Sequence, residues 1–287
     1  MIVEVFVFTS AISWGLLDLT RKILGKNFSA PFLALVLSVG QIPIVIGWTL
    51  FEAPIIYSPT YIVPTLIIVL MHSAASIAFI RSVTLAPLSE TIPFLAFSPA
   101  VTALLGLTIQ EWLSPLQWIG IGCIMVGVGK VRTSKAMKPG EDTSSESEQA
   151  IGKWLMLFVA LCWGGAIFLD KVALQFATPS CHALLITLLS SIVLYGIVRF
   201  RNIELQMKSL LSSPALLLLP AFSGLAFITQ LLAIQVYPVG VFESIKRAVG
   251  VFMAALFGLL FFQEELTFRK IALLTLVVFG TSLVLLF

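Results

Sequence analysis

Ten apolar stretches of 17 to 25 residues, separated by short polar or proline-bearing breaks, dictate what this chain can fold into. About 20 apolar residues in a helix cross the hydrocarbon core of a bilayer. An open sheet edge cannot sit in lipid, because its backbone groups would go unbonded. The sequence therefore predicts an all-α integral membrane protein with ten transmembrane helices. They run over 3–21, 31–51, 61–80, 87–109, 115–131, 152–171, 179–200, 210–234, 238–262 and 267–287. Proline stands at or near the start of many of them, in the turn where its missing N–H does no harm. Charged residues make up 11% of the chain, against about 25% in a soluble domain, and no room is left for a separate soluble domain. The first apolar run carries Glu4 in place of a basic leader and continues as a full span, so no cleavable signal is expected. A net charge of +3 with no basic tail argues against a nucleic-acid partner.

One segment differs. Residues 130–153 are rich in Ser, Glu and Lys around a Pro-Gly turn, which reads as a solvated linker. It divides the chain into a first five-helix unit over 1–131, a linker over 132–151 and a second five-helix unit over 152–287. The units resemble each other. Trp14-Gly15 followed by Lys22 matches Trp163-Gly164 followed by Lys171, with eight residues from Trp to Lys in both. Glu90 and Glu243, Glu111 and Glu264, Ser114 and Thr267, and Gly127 and Gly280 are all 153 residues apart. Because five is odd, a repeated five-helix unit re-enters the membrane from the opposite side. The expected architecture is two inverted five-helix repeats, which place a site at their interface near the midplane.

The Trp-Gly near the start of each unit, the ten-span plan, and the run QEWLSPLQWIGIGCIMVGV at 110–128 resemble the EamA-type drug/metabolite transporter family. The resemblance covers nearly the whole chain. It implies a secondary transporter, monomeric or a homodimer, with a central cavity between the halves. It leaves the substrate open, since members move amino acids, sugars, nucleotide sugars and organic phosphates.

Charges inside apolar runs supply the candidate residues, because each costs roughly 2.5–3.5 kcal/mol at a bilayer centre. Glu243, Lys246 and Arg247 share one helical face at i, i+3 and i+4. Arg247 is nine residues past Pro238, roughly 13 Å deep at 1.5 Å per residue. That depth favours a polar cavity over snorkelling; mutual neutralisation along the helix is the bland alternative. The Lys-Arg pair also looks like the phosphate-binding pair of the plastid phosphate translocators, which add a first-half lysine where this chain has Glu90. Glu90 lies among prolines at 87, 93 and 99, and Pro93 and Pro99 are expected to kink one helix. Trp14, Asp18 and Arg21 or Lys22 share a face, with Trp163, Asp170 and Lys171 in the similar place of the second unit. These form either an interfacial belt or a gating ion pair between the halves. His72 is either hydrogen-bonded structure or a proton or substrate contact. Gln230 and Gln235 are further candidates for lining the cavity. Glu111 and Glu264 lie at turns where Ser114 and Thr267 are expected to cap helix starts.

No phosphate loop, metal-spaced His/Cys set or nucleophile elbow occurs in the sequence, so neither enzyme activity nor a metal or other cofactor is expected. Cys123, Cys162 and Cys181 lie in or beside apolar runs and read as small hydrophobes. The leading expectation is a carrier of a small polar, anionic or zwitterionic metabolite, coupled to a proton or a counter-substrate. A non-transporting structural or signalling membrane protein and a membrane-embedded enzyme are the other classes considered. With both termini outside the cell, 14 of the 17 Lys and Arg fall on the inner side, as the positive-inside rule requires; the resemblance implies both termini inside.

Overall fold

The computed structural model describes residues 2–25, 27–85, 91–130, 146–206, 214–262 and 268–287. Among them are ten α-helices: α1 (Ile2–Leu24), α2 (Ala30–Thr49), α3 (Ile62–Leu85), α4 (Ser98–Gly106), α5 (Pro115–Lys130), α6 (Glu146–Ala173), α7 (Pro179–Phe200), α8 (Pro214–Ile234), α9 (Val239–Phe262) and α10 (Phe268–Leu286). Among the described residues, five spans are long and apolar enough to cross a membrane: Val3–Arg21, Ala30–Thr49, Pro59–Leu85, Ser147–Ala173 and Pro179–Phe200. Four shorter apolar helices accompany them.

Two elements depart from expectation. The fourth apolar stretch is a broken rod. A 3-10 turn at Ile92–Phe97 leads into α4, and a second at Leu107–Ile109 leaves it. Pro93 and Pro99 each occupy the first turn of an element, where the absent N–H is not needed, so they start structures instead of kinking one. The sixth helix begins at Glu146, inside the segment read as linker, six residues before the expected 152.

The packing obeys an exchange rule. Adding five to each helix number turns the α1–α8 contact into α6–α3, and α1–α9 into α6–α4; both members of each pair are present. The self-related contacts α2–α7, α4–α9 and α5–α10 are present as well. Equivalent helices run in opposite directions. Gly120 faces Gly280 and Val284, while Gly127 faces Leu273 and Val277, so α10 descends as α5 ascends. In the same way Ala103 lies against Gly240 and Ser98 against Glu243. This is the inverted repeat read from the sequence. Its axis is marked by Ser38 and Ser191, themselves 153 residues apart, whose hydroxyls share a 2.9 Å hydrogen bond.

The Trp-Gly pairs owe their spacing to this symmetry. A Cβ on Gly15 would meet Met253 Sδ of α9 at 2.6 Å, and one on Gly164 would meet the Ser98 carbonyl oxygen of α4 at 3.0 Å. The bare glycine lets each first helix of a repeat approach the fourth helix of the other. The preceding tryptophans then meet, with Trp14 and Trp163 ring centroids 6.3 Å apart. Helix alternation gives the protein two faces. The terminal face carries both chain ends and the turns after α2, α4, α6 and α8. The linker face carries the others.

Candidate functional site

Around the two tryptophans the packing gathers charge from both repeats. Glu243 of α9 is fully buried. Its carboxylate takes Lys246 Nζ at 2.5 Å and Arg247 Nη2 at 2.8 Å, one helical turn along. Ser98 of α4 donates its hydroxyl to Glu243 Oε1 at 2.6 Å and lies 2.9 Å from Arg247 Nε. The α4–α9 contact therefore holds the cluster across the repeat boundary.

Four rings cover the cations. Lys246 Nζ stands 5.5 Å from the Trp14 ring centroid and 5.6 Å from Phe242. The Arg247 guanidinium stands 5.7 Å from Trp163. Arg21, only 1% exposed, lies 5.7 Å from Trp14, 5.4 Å from Phe79 and 5.7 Å from Trp163. Such contacts are worth up to about 2 kcal/mol when desolvated. Arg21 Nη1 donates to Asp18 at 3.2 Å, whereas its Nε and Nη2 have no hydrogen-bond partner among the described residues. Buried donors of a guanidinium left unbonded are costly.

Of the residues considered for a gating ion pair, Asp18 and Arg21 pair with each other within α1, three residues apart. The Lys22 side chain and all of Glu90 and Glu264 lie outside the described residues. Asp170 and Lys171 diverge. Lys171 is ion-paired with Glu111 of the first repeat and donates to the Tyr237 carbonyl at 2.9 Å. Glu111 also accepts the Val239 N–H at 2.8 Å, which caps α9. Gln110, with φ 64°, turns the chain there out of the right-handed region and ends the α4 rod. The cross-repeat ion pair of the terminal face is thus Lys171–Glu111. Ser114 caps α5 as expected, its Oγ accepting from Gln117 N–H while Gln117 Oε1 accepts from Ser114 N–H.

Gln230 connects the cluster to a second polar group. Its Oε1 accepts the Trp14 indole N–H at 3.1 Å, and its Nε2 donates to Asp170 Oδ2 at 3.4 Å. Asp170 Oδ1 is 3.1 Å from His182 Nε2, and His182 Nδ1 is 2.9 Å from the Tyr61 hydroxyl. Gln235, by contrast, bonds back to Leu231 of its own helix. His72 stacks on Phe227, with ring centroids 6.5 Å apart. Ser98, Phe79, Phe242, His182 and Tyr61 escaped the sequence reading. Serine and phenylalanine are common in apolar helices, and the partners of His182 lie 12 and 121 residues away.

A sequence profile described as "EamA-like transporter family" matches residues 1–132 and 150–286. A solved structure described only as "Crystal structure of protein" superposes with a TM-score of 0.77, at 17% identity over 99% of this chain and 96% of that chain. Comparison with curated proteins gives no match.

Proposed function

This chain belongs to the EamA-like transporter family, and on that premise we propose that it is a secondary transporter moving a small anionic or zwitterionic polar metabolite by alternating access. The observation that carries the reading is the buried excess of cations between the repeats. Arg21 comes from one half and Lys246 and Arg247 from the other, against the carboxylates of Asp18 and Glu243. Three cations less the two carboxylates that touch them leave a formal charge of +1 on the cluster itself. The next buried carboxylate among the described residues, Asp170, is reached only through Gln230. An unpaired buried charge costs several kcal/mol. A substrate carboxylate or phosphate supplies the missing anion, and Trp14 and Trp163 give it apolar walls.

In the empty carrier Glu90 supplies a second anion from the first half. A substrate anion displaces it, and the freed carboxylate takes a proton or a substrate amine. That exchange favours one arrangement of the halves over the other. The ten helices are ten spans. The Lys171–Glu111 pair holds the terminal face closed, and the Lys and Arg of the linker face put that face in the cytoplasm. The unit works as a monomer or a homodimer in the bilayer, without enzyme activity and without a cofactor.

Uptake of a radiolabelled metabolite panel into proteoliposomes tests this. Lys246→Ala and Arg247→Ala should each abolish uptake while the protein still reaches the membrane, and Glu90→Gln should alter pH dependence more than affinity. Normal transport by both cation variants would refute the reading, and a panel with no saturable ligand would favour a structural or signalling role.

A further inference from the structure

We propose that Asp170 and His182 form a proton-binding site, and that Gln230 reports its state to the Trp14 indole. Asp170 is 3% exposed and His182 is fully buried, and each hydrogen-bonds to further groups. The four contacts join Tyr61, His182, Asp170, Gln230 and Trp14 into one unbroken chain running from the start of α3 to the interface of the repeats. A buried carboxylate–imidazole pair must satisfy its remaining polar atoms, and Gln230 and Tyr61 do so. The chain of contacts ends on the ring that covers Lys246 and Arg21.

The chemistry of the step is simple. Neutral His182 has one ring N–H and one ring acceptor, whereas its cation has two donors. With the proton on Nε2 facing Asp170, Nδ1 accepts the Tyr61 O–H. When water delivers a second proton to Nδ1, the pair goes from a charge of −1 to 0, and Tyr61 must turn its O–H away to become the acceptor. Asp170 then faces a full cation on Oδ1, and the Gln230 N–H at its other oxygen competes with a stronger partner. Gln230 has a single amide for both of its bonds, so a shift at Nε2 moves Oε1 against the Trp14 N–H. Imidazole is the side chain suited to this role, because it changes charge in the physiological range.

Among the described residues, the titratable and charged groups around the pair include Tyr61 just before α3, His72 on α3, Cys181 beside His182, Lys171 beside Asp170, and Glu52, whose carboxylate accepts the Ser180 N–H at 2.8 Å. His182 sits one turn into α7, which places the pair near the terminal face. That this proton is the one coupled to substrate movement rests on the transporter reading; the site itself does not.

The test uses no substrate. Purified full-length protein in lipid nanodiscs, labelled with 15N in histidine and in tryptophan indole, is titrated from about pH 5 to about pH 8. His72→Gln and Trp14→Phe assign the resonances. His182 is expected to pass from one protonated nitrogen to two, and the Trp14 indole to shift with the same midpoint. In Gln230→Leu, His182 should still titrate while Trp14 no longer follows. Asp170→Asn should alter the response of the His182 resonances to pH. A His182 that keeps one protonation state throughout, or a Trp14 shift that survives Gln230→Leu, would overturn the proposal. Either result leaves the uptake experiment unaffected, so the two ideas fail separately.

Discussion

Replacing Glu243 with Gln keeps the shape of the side chain and removes the carboxylate that both Lys246 and Arg247 touch. At contact distances of 2.5 and 2.8 Å, and an effective dielectric of about 20, each pair has a gross attraction of about 6 kcal/mol. Most of that offsets the desolvation of three charges. Deleting one partner of a buried pair leaves a net loss of about 3–5 kcal/mol, because the surviving cations stay buried and repel each other. The variant should therefore unfold at clearly lower denaturant in mixed micelles. The decisive control is the double variant Glu243→Gln/Lys246→Met, which removes one charge of each sign and keeps an aliphatic side chain beneath Trp14 and Phe242. It should recover at least about 2 kcal/mol relative to the sum of the single changes, the coupling expected of groups in contact. A Glu243→Gln protein within about 0.5 kcal/mol of the parent, or a strictly additive cycle, would show that the cluster is solvated and that the cation-excess reasoning fails.

Other expectations follow from the packing. In a background free of the native cysteines, Ser38→Cys/Ser191→Cys should form a disulfide between α2 and α7, seen as linkage of the halves after proteolysis of the 131–145 segment; no linkage under oxidation would contradict the axis contact at 2.9 Å. Gly164→Ala should cost about 1–3 kcal/mol of stability, since its Cβ would lie 3.0 Å from the Ser98 carbonyl oxygen and push Ser98 off Glu243. Gly47→Ala, with nothing within 4 Å of the added carbon, should be neutral or slightly stabilising, and equal losses at the two sites would discredit the crossing geometry. A cysteine at Ser144 should resist a membrane-impermeant thiol reagent in intact cells; labelling there would reverse the assigned orientation.

Much of the fold was legible because a bilayer allows few solutions. Apolar length marked the helices, five of which among the described residues are long and apolar enough to cross a membrane, and the offset of 153 between four residue pairs announced the repeat that Ser38 and Ser191 close. Glu243, Lys246 and Arg247 stood out because charge inside an apolar run is expensive. Trp14 and Trp163 were visible as equivalent residues, yet their contact follows only from the direction of the repeats. The remainder depended on contacts that no local spacing encodes. Glu111 meets Lys171 where Gln110 adopts a left-handed backbone, and His182 meets Asp170 across the short turn that joins α6 to α7. The broken α4 was misread for a related reason. Proline marks both the start of an element and a kink, and only the neighbouring Glu243–Ser98 contact shows where the new element begins.

The repeat also predicts how the carrier would open. Lys171 and Glu111 join the second repeat to the first at the terminal face, with side chains 18% and 12% exposed. The sequence repeats both residues, at Lys22 and Glu264. Inverted symmetry then requires that exchanging the conformations of the halves exchange the two pairs. Each pair is worth about 1.5–3 kcal/mol as a charge-assisted contact, enough to shift an opening equilibrium by roughly tenfold or more. Glu111→Gln should therefore raise the reactivity of a cysteine at position 239 towards reagent added from the terminal face. It should also promote cross-linking of the cysteine pair Lys22→Cys/Glu264→Cys. Glu264→Gln, in the background of Lys171→Cys/Glu111→Cys, should favour cross-linking at the terminal face. If Glu111→Gln opened the terminal face and left 22–264 cross-linking unchanged, the two faces would move independently, and rocking of rigid halves would be the wrong description of this fold.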